Sequence, residues 1–562
     1  MNTQSFEGPG VDLNENSSLA SVVFEKAERT PDRPSLRAAN ALSSSTCNDL
    51  AERVRSLASA LLDSGVSAGE RVAILGRTSL EWVVLDLAVL SVGAVVVPVY
   101  PTSSAQQIQH IVSDSGATRF AAESDADAGR LMDAGADVVW SFDTVGQWSQ
   151  SGGRHDPATR MAAVRSRDLA MIVYTSGTTG AAKGCMISHR NMYAASANTV
   201  LRTGAMFGGD AEEQAVTALG LPLAHVFGQT IMFATLIGGT HTWLIPGIPD
   251  MVPSLPAIRP TFLALVPYAL EKIRKAARPH LAPGAEQAAV SDGLALLHAR
   301  VQAATAEPPR PVLGLLGDRL TSVISGGASL DDSTAGFYAG FGVDVLNCYG
   351  MTESATAVTV NEPTTNRLGT VGRPIPGTTV AIASDGEILV RGANVTIGYW
   401  GSAADRSPVD AEGWLHTGDI GVLDDGYLRV TGRKKEILVT SGGKNVSPTP
   451  LEDRIRLHPL VGNAIVVGEG RPFVSALITL DPSAAGLDNA YLESELQNAV
   501  DDANSLVSRA ESIREFRILP RDFTVDNGLL TPSLKLKRAA IGEEFRVEIE
   551  SIYEMSSPGT LG

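Results

Sequence analysis

Residues 169–184 read LAMIVYTSGTTGAAKG, an apolar strand followed by a loop of small and hydroxyl-bearing residues. Glycines allow a tight backbone bend, so successive backbone N–H groups can converge on one anion. The hydroxyls add donors and Lys183 adds positive charge, which together suit a triphosphate. The spacing differs from the Walker pattern Gly-x-x-x-x-Gly-Lys-Ser/Thr, and a plain flexible loop is the alternative. The expected phosphate-binding residues are Thr175, Ser176, Gly177, Thr178, Thr179, Gly180 and Lys183.

Strands and helices alternate on both sides of this loop. The apolar spacing predicts helices at 18–30, 48–64, 80–90 and 268–275, and strands at 71–75, 94–99, 169–173 and 321–325. The apolar stretch 83–99 is broken by Asp86, Gly93 and Pro98, so we interpret it as a buried helix that runs into a strand and not as a membrane span. The alternation predicts α/β layers with mainly parallel sheets.

The length of 562 residues predicts at least two domains. The Ala-rich residues 276–311 indicate a helical surface insertion. Residues 421–431 alternate around Asp425-Gly426, which predicts a hairpin. Further on, the pattern predicts a strand pair at 464–468 and 473–480 and helices at 450–457 and 490–507. We therefore expect a large N-terminal domain over 1–432, a hinge at 433–435 and a small α+β domain over 436–562.

Composition narrows the class of protein. The formal net charge is -17 and the lysines and arginines are scattered, which argues against a nucleic-acid partner. Cys47, Cys185 and Cys348 are far apart and predict neither a disulfide framework nor a metal site. The polar residues 1–18 do not have the pattern of a secretory signal. We expect a cytoplasmic protein without an integral membrane segment, and peripheral contact with a membrane stays open.

Several short motifs follow predicted strands and carry polar chemistry. Residues 347–353 read NCYGMTE, in which Tyr349 can stack on a base and Glu353 can hold Mg²⁺. Residues 413–419 read GWLHTGD, and Asp419 has two acceptor oxygens, as vicinal hydroxyls require. Taken singly, a core aromatic, a surface acid or a solvated charge run would explain each of them. The order in which they occur after the loop favours a nucleotide site.

From residue 19 to residue 538, the chain resembles the adenylate-forming (AMP-binding) superfamily, which includes acyl-CoA synthetases, luciferases and the adenylation domains of peptide synthetases. The loop at 174–184 and the ending LLTPSLKLKR at 529–538 carry the resemblance most clearly. Ala182 departs from the usual proline, and Leu534 departs from the glycine of many relatives. The resemblance implies a large N-terminal domain with a small β-barrel-like part, and a small mobile C-terminal domain.

The resemblance also implies roles for individual residues. Lys535, Lys183, His225 and Thr352 would be catalytic, with Lys537 as the rival of Lys535. Glu353 would hold Mg²⁺, and Lys435 would be the hinge. The thiol acceptor would meet Gly442, Gly443 and Lys444, and the acid would meet His225, Gly326 and Tyr349. Beside the loop, ATP or AMP would contact Gly326, Gly327, Ala328, Asn347, Cys348, Tyr349, Gly350, Thr352, Asp419 and Arg433.

The function that this resemblance implies is ATP-dependent activation of a carboxylic acid. A medium- to long-chain fatty acid is expected, because the insertion, the segment 222–225 and the ending 531–538 resemble bacterial long-chain fatty acyl-CoA synthetases. The substrates and cofactor would then be the acid, ATP, Mg²⁺ and coenzyme A. Two alternatives stay open at this point. One is a ligase that loads the phosphopantetheine of an acyl carrier protein, and the other is a non-catalytic nucleotide sensor.

Overall fold

The computed structural model describes residues 2–5, 9–175, 182–208, 213–299, 313–405, 407–531 and 535–555. The predicted phosphate-loop residues Ser176, Gly177, Thr178, Thr179 and Gly180 lie outside the described ranges. Within those ranges, none of the helices is both long and apolar enough to cross a bilayer.

The strands are, in chain order, β1 (Asn2–Ser5), β2 (Pro34–Ala38), β3 (Ser45–Thr46), β4 (Arg71–Leu75), β5 (Val95–Val99), β6 (Arg119–Ala122), β7 (Val139–Ser141), β8 (Leu169–Thr175), β9 (Lys183–Ser188), β10 (Val216–Leu219), β11 (His241–Leu244), β12 (Phe262–Leu265), β13 (Ser322–Ser325), β14 (Asp344–Tyr349), β15 (Thr359–Val360), β16 (Arg373–Pro374), β17 (Thr378–Ile382), β18 (Glu387–Gly392), β19 (Gly398–Tyr399), β20 (Leu415–Asp424), β21 (Tyr427–Arg433), β22 (Leu438–Val439), β23 (Asn445–Val446), β24 (Val461–Val467), β25 (Val474–Leu480) and β26 (Ile513–Ile518).

The α-helices are α1 (Ser21–Arg29), α2 (Cys47–Asp63), α3 (Leu80–Ser91), α4 (Ala105–Ser115), α5 (Asp125–Asp133), α6 (Phe142–Ser151), α7 (Ala158–Ala163), α8 (His189–Thr203), α9 (Val226–Gly238), α10 (Ile248–Ile258), α11 (Pro267–Ala277), α12 (Ala285–Ala299), α13 (Leu313–Leu316), α14 (Asp332–Gly340), α15 (Pro448–Arg456), α16 (Asn489–Asn504), α17 (Arg538–Glu544) and α18 (Arg546–Met555).

The largest sheet has the strand order β19-β9-β8-β5-β4-β6-β7, and the pairs among β8, β5, β4, β6 and β7 are parallel. Its apolar residues alternate between two cores. Val72 and Ile74 of β4 pack on one face, whereas Ala73 and Leu75 pack on the other. A strand that buries both of its faces is typical of a parallel sheet covered by helices on both sides. The α/β prediction is confirmed.

Two further mixed sheets, with orders β10-β11-β2-β3 and β12-β13-β14-β15-β16, complete the layered part of the molecule. The part predicted to be barrel-like is an antiparallel sheet with the order β1-β17-β18-β20-β21. Its β20–β21 hairpin turns at Asp425 and Gly426, which have φ of 50° and 79°. Both positive values are typical of a tight hairpin turn, as the sequence predicts.

The C-terminal part is a smaller α+β unit. A sheet with the order β24-β25-β26 packs against α15 and α16, and Leu451, Val466, Ile478 and Leu496 lie in its own core. The predicted strand pair is confirmed as the antiparallel pair β24–β25. The limits that we propose for the domains remain 1–432, 433–435 and 436–562.

The predicted insertion at 276–311 contains α12, which packs one face on α14. Gly293 of α12 approaches the backbone of α14 so closely that a Cβ would lie 1.8 Å from the Gly336 carbonyl oxygen. Small residues on both helices permit this crossing. Residues 300–312 of the insertion lie outside the described ranges.

Candidate active site

A cavity of about 1350 Å³ lies where the N-terminal layers meet the C-terminal unit. The strands β5, β8, β13 and β14 end beside it. Ligands of parallel sheets usually bind at the carboxyl ends of the strands. Its wall includes the predicted residues Thr175, Lys183, His225, Gly326, Gly327, Cys348, Gly350, Thr352, Glu353, Arg433, Lys435 and Lys535. The structure therefore gathers around one space residues that are up to 360 positions apart in the chain (Thr175 to Lys535).

The residues predicted to bind adenine and ribose are bonded to one another, with Arg433 in the cavity wall and Tyr349 and Asp419 behind it. The Tyr349 hydroxyl donates to Asp419 Oδ2 at 2.7 Å, and Arg433 Nε donates to Asp419 Oδ1 at 2.8 Å. Burial, and then the charge of Asp419, raise the pKa of Tyr349 well above its usual range. Tyr349 therefore stays protonated and remains a donor to the carboxylate. Tyr349, Asp419, Ala328 and Asn347 do not themselves line the cavity.

At the phosphate side of the cavity, Tyr399 joins two of the predicted residues. Its hydroxyl donates to Glu353 Oε1 at 2.6 Å, and Lys183 Nζ lies 4.9 Å from the centre of its ring. A cation above an aromatic face is attracted by the electron density of the ring. Tyr399 thus positions both the lysine at the end of the phosphate loop and the carboxylate predicted to hold a metal.

The donor set at Glu353 fits Mg²⁺. In the described residues no group of three or more His, Cys, Asp or Glu could form a complete protein cage for a metal ion. Mg²⁺ is usually bound through one or two carboxylates together with substrate phosphates and water. Glu353 lines the cavity, and the bond from Tyr399 occupies only one of its carboxylate oxygens. The single carboxylate therefore matches the way in which Mg²⁺ accompanies a nucleotide.

A strained turn presents Thr352 and Glu353. Ala355 and Thr356, which follow them, have φ of 47° and 81°, a region that L-residues rarely adopt. Gly350 lets the turn close, because a Cβ there would lie 1.1 Å from the Thr356 carbonyl oxygen. Strain of this kind persists only where the surrounding structure enforces it, and it is concentrated at functional sites.

His225 precedes α9 and lines the cavity. Burial, and then the nearby charge of Lys535, lower the pKa of His225 to about 3. The ring is therefore neutral at physiological pH. Its Nδ1 accepts a hydrogen bond from the Phe227 N–H at 3.0 Å, so we assign the proton to Nε2. A neutral imidazole with its proton on Nε2 can donate to a carboxylate oxygen.

Lys535 lines the cavity and is accessible there, although protein surrounds its ammonium group closely enough to desolvate it. Its backbone N–H donates to Thr531 Oγ1 at 3.0 Å, and its carbonyl accepts from the Thr531 N–H at 2.8 Å. Burial and then the charge of Arg433 lower the pKa of Lys535 below that of a free lysine. Its rival Lys537 also lines the cavity.

The predicted thiol loop is in a different place. Gly442, Gly443 and Lys444 form the turn of the β22–β23 hairpin and are exposed. None of the three lines the cavity, and Lys444 Nζ lies 3.4 Å from Glu511 Oε1. The structure thus has Lys535 in the cavity and the thiol loop outside it.

Some residues of the cavity wall were not predicted from the sequence. Tyr100, Ser103 and Gln107 line the cavity from the segment after β5 and the start of α4. The rule that parallel strands end at the site would have indicated Tyr100, which directly follows a predicted strand. No sequence signal indicated Tyr399, because its role depends on contacts with residues 46 and 216 positions away (Glu353 and Lys183).

Comparison with known families gives two matches. Residues 23–400 match the family described as AMP-binding enzyme, and residues 435–557 match the family described as AMP-binding enzyme C-terminal domain. Together the two matches include most of the residues that form the cavity.

Among curated proteins, the chain is similar to two relatives of nearly equal length. The long-chain-fatty-acid–CoA ligase FadD15 of Mycobacterium bovis is 37% identical over 597 residues, which cover 96% of this chain and 98% of that protein. FadD15 of Mycobacterium tuberculosis has the same identity and coverage. Among solved structures, ATP-bound MatB from Rhodopseudomonas palustris matches with a TM-score of 0.73 and 25% identity, over 94% of this chain and 99% of that chain.

Proposed function

Because the chain belongs to the AMP-binding enzyme family, we propose that it activates a medium- to long-chain fatty acid with ATP and transfers the acyl group to coenzyme A. The observation that carries the proposal is the convergence of Lys183, His225, Glu353 and Lys535 on one cavity beside the Tyr349–Asp419–Arg433 cluster. The two FadD15 relatives are named long-chain-fatty-acid–CoA ligases, which supports a fatty acid as the substrate and coenzyme A as the acceptor.

In the first half-reaction, an oxygen of the fatty carboxylate attacks the α-phosphorus of ATP. The bond from this phosphorus to the bridging oxygen breaks, and pyrophosphate leaves with the electron pair. His225 orients the carboxylate through its Nε2–H, while Lys535 and Lys183 stabilise the negative charge that develops. The cluster of Tyr349, Asp419 and Arg433 holds the ribose side of the nucleotide.

Glu353 would hold Mg²⁺ beside the phosphates, where the ion, when bound, supplies charge neutralisation to the triphosphate. The chain's own contribution is to fix this carboxylate. The Tyr399 hydroxyl and the strained turn after Gly350 limit its movement, so the fold directs its second oxygen before the nucleotide binds.

In the second half-reaction, the thiol of coenzyme A loses its proton to solvent and its sulfur attacks the acyl carbonyl carbon. The bond from this carbon to the AMP oxygen breaks, and AMP leaves. Lys535 occupies the cavity while Gly442, Gly443 and Lys444 are outside it, so the two half-reactions require different positions of the C-terminal unit. We propose that residues 433–435, with Lys435, form the hinge for this change.

The residues near His225 favour an acid without an α-amino group. The first turns of α9 present Val226, Phe227, Gly228 and Gln229, and no carboxylate is available there to pair with an ammonium group. Val226 and Phe227 line the cavity beside His225 and offer apolar contact to an alkyl chain. We place the protein in the cytoplasm, where the free thiols of Cys47, Cys185 and Cys348 would stay reduced.

The proposal is tested by incubating the protein with ATP, Mg²⁺, coenzyme A and saturated acids of graded chain length, and by identifying products by mass spectrometry. We expect AMP, pyrophosphate and acyl-CoA, with a maximum at one chain length. If acyl-adenylate forms without acyl-CoA, the acceptor would be a carrier protein and not coenzyme A. ATP binding without adenylate from any acid would overturn the enzyme assignment and favour a nucleotide sensor. Reactions without ATP are the control.

A further inference from the structure

We infer that an interdomain bracket, formed by Arg454 with Asp331 and by Asp453 with Ser329, positions Lys535 in the cavity for acyl-adenylate formation. This inference rests on the proposed function. Asp331 and Ser329 belong to the N-terminal layers, whereas Asp453 and Arg454 belong to α15 of the C-terminal unit. The four are positioning residues, because none of them lines the cavity.

The geometry of the bracket is reciprocal. Arg454 Nη1 donates to both carboxylate oxygens of Asp331 at 3.2 Å, and the Ser329 hydroxyl donates to Asp453 Oδ2. Each side of the interface therefore supplies one donor and one acceptor. Ser329 and Asp331 are two positions apart in the chain, and Asp453 and Arg454 are adjacent. Two crossed contacts fix the rotation of α15 as well as its distance, which a single contact could not do.

The acidic residues of the bracket are buried, which strengthens the attraction between Asp331 and Arg454. The side chains of Asp331 and Asp453 are each 9% exposed, so water screens them poorly. The other side of the Arg454 guanidinium donates to Asp502 of α16 at 2.6 and 3.0 Å. The Arg454 guanidinium thus contacts both domains, and its pairing with Asp502 lies entirely within the C-terminal unit.

The bracket is connected to the cavity on both sides. Ser329 and Asp331 follow Gly326 and Gly327, which line the cavity at the end of β13. On the C-terminal side, Glu452 precedes Asp453 and accepts hydrogen bonds from Arg538 at 2.7 and 2.5 Å. Arg538 is three residues after Lys535. Short, bonded segments therefore link the position of α15 to the position of Lys535.

A bracket with this geometry belongs to one of the two half-reactions. The thiol loop at 442–444 and α15 are part of the same C-terminal unit and are separated by three residues. Bringing the loop to the cavity moves α15 away from Asp331 and Ser329. The bracket therefore stabilises the arrangement for adenylation and must break before thioester formation.

The test is Asp331→Asn, with Asp502→Asn as the matched control. Asp331 caps α14 by accepting from the Ser333 N–H at 2.7 Å, and asparagine keeps this cap while it removes the charge. Asp502→Asn neutralises the partner of the same guanidinium within the C-terminal unit. Acyl-adenylate formation is measured by rapid quench in a single turnover, and thioester formation is measured from synthetic acyl-adenylate and coenzyme A.

We expect Asp331→Asn to slow acyl-adenylate formation roughly tenfold, within the usual range of coupling between sites, and to leave transfer to coenzyme A within about twofold of the parent. Asp502→Asn should change neither step by more than about twofold. Equal slowing of both steps, no slowing of the first, or an equal effect of Asp502→Asn would overturn the inference. Thermal melts of the three proteins check that each is folded.

A second measurement does not depend on catalysis. Small-angle X-ray scattering of the parent and of Asp331→Asn should give a larger radius of gyration for the variant, because the C-terminal unit spends less time docked. An unchanged radius of gyration would overturn the inference. A parent protein that forms no adenylate would defeat the proposed function alone, and scattering would then still decide whether the bracket holds the domains.

Discussion

Tyr349 donates a hydrogen bond to Asp419, with 2.7 Å between the hydroxyl and Oδ2, although 70 residues separate them in the chain. One side chain was expected to stack on adenine and the other to bind the ribose hydroxyls. The bond makes them a single unit with Arg433, so the two ends of a nucleoside would be held by groups that restrain one another.

The first prediction tests this unit. Tyr349→Phe keeps the ring and removes the donor, which leaves Asp419 Oδ2 short of a partner in a buried site. We expect KM for ATP to rise about fivefold, as about 1 kcal/mol of lost hydrogen bonding implies, with little change in kcat. Tyr427→Phe is the control, because its hydroxyl donates to the Thr365 carbonyl at 2.9 Å and not to the Tyr349–Asp419–Arg433 cluster. Equal KM values for both variants would contradict the prediction.

The second prediction separates Lys535 from Lys537. Lys535→Ala should slow acyl-adenylate formation at least about 100-fold, because a cation beside the developing charge is lost. Lys537→Ala should retain most of the activity. Transfer from synthetic acyl-adenylate to coenzyme A should be nearly normal in both variants. Pyrophosphate exchange measures the first step, and the reverse order of effects would assign the catalytic role to Lys537.

The pH dependence of the same step gives the third prediction. Burial and Arg433 lower the pKa of Lys535, so the cation is lost at a lower pH than in a free lysine. The rate of adenylation should therefore decline at a lower pH than the pKa of a free lysine would predict. Lys535→Arg, whose guanidinium stays charged, should move this alkaline decline to higher pH even if its rate is lower. An unchanged alkaline limb would exclude Lys535 as its origin.

The fourth prediction concerns His225. Because its pKa is lowered to about 3, the ring is already neutral at pH 5.5 and stays neutral as the pH rises to 8.5. His225→Ala should lower kcat/KM for the acid about tenfold, and His225→Gln, which keeps an N–H donor, should lose less. The ratio of parent to variant should be constant between pH 5.5 and 8.5. A change in this ratio near pH 6.5 would show that the histidine acts in its charged form.

The fifth prediction tests the turn that carries Glu353. Gly350→Ala should destabilise the protein by more than about 3 kcal/mol, or prevent folding of this region, because the new Cβ would overlap the Thr356 carbonyl oxygen. Gly129→Ala in α5 is the control, since nothing lies within 4 Å of its added Cβ and alanine favours a helix. Urea unfolding measures the stability of both variants, and similar midpoints would contradict the prediction.

Local pattern was sufficient for many elements of the fold. The strand predicted at 71–75 is β4 with the same limits, and the helix predicted at 80–90 is α3. Both have apolar residues at the period of their own backbone geometry, and Ser79 caps α3 by accepting from the Trp82 N–H. The helix predicted at 18–30 is shorter in the structure, where α1 begins at Ser21. Helix ends depend on capping contacts that periodicity does not encode.

The sequence by itself determined the alternating layers, the family and several polar residues of the cavity, among them Lys183, His225, Glu353 and Lys535. Strand and helix periods and motif spacing are properties of neighbouring residues. Only the tertiary structure decided that Tyr399 joins Lys183 to Glu353, that His225 is neutral with its proton on Nε2, and that Arg454 reaches Asp331. Each of these depends on distance and burial between segments far apart in the chain, which arise only when the whole core packs.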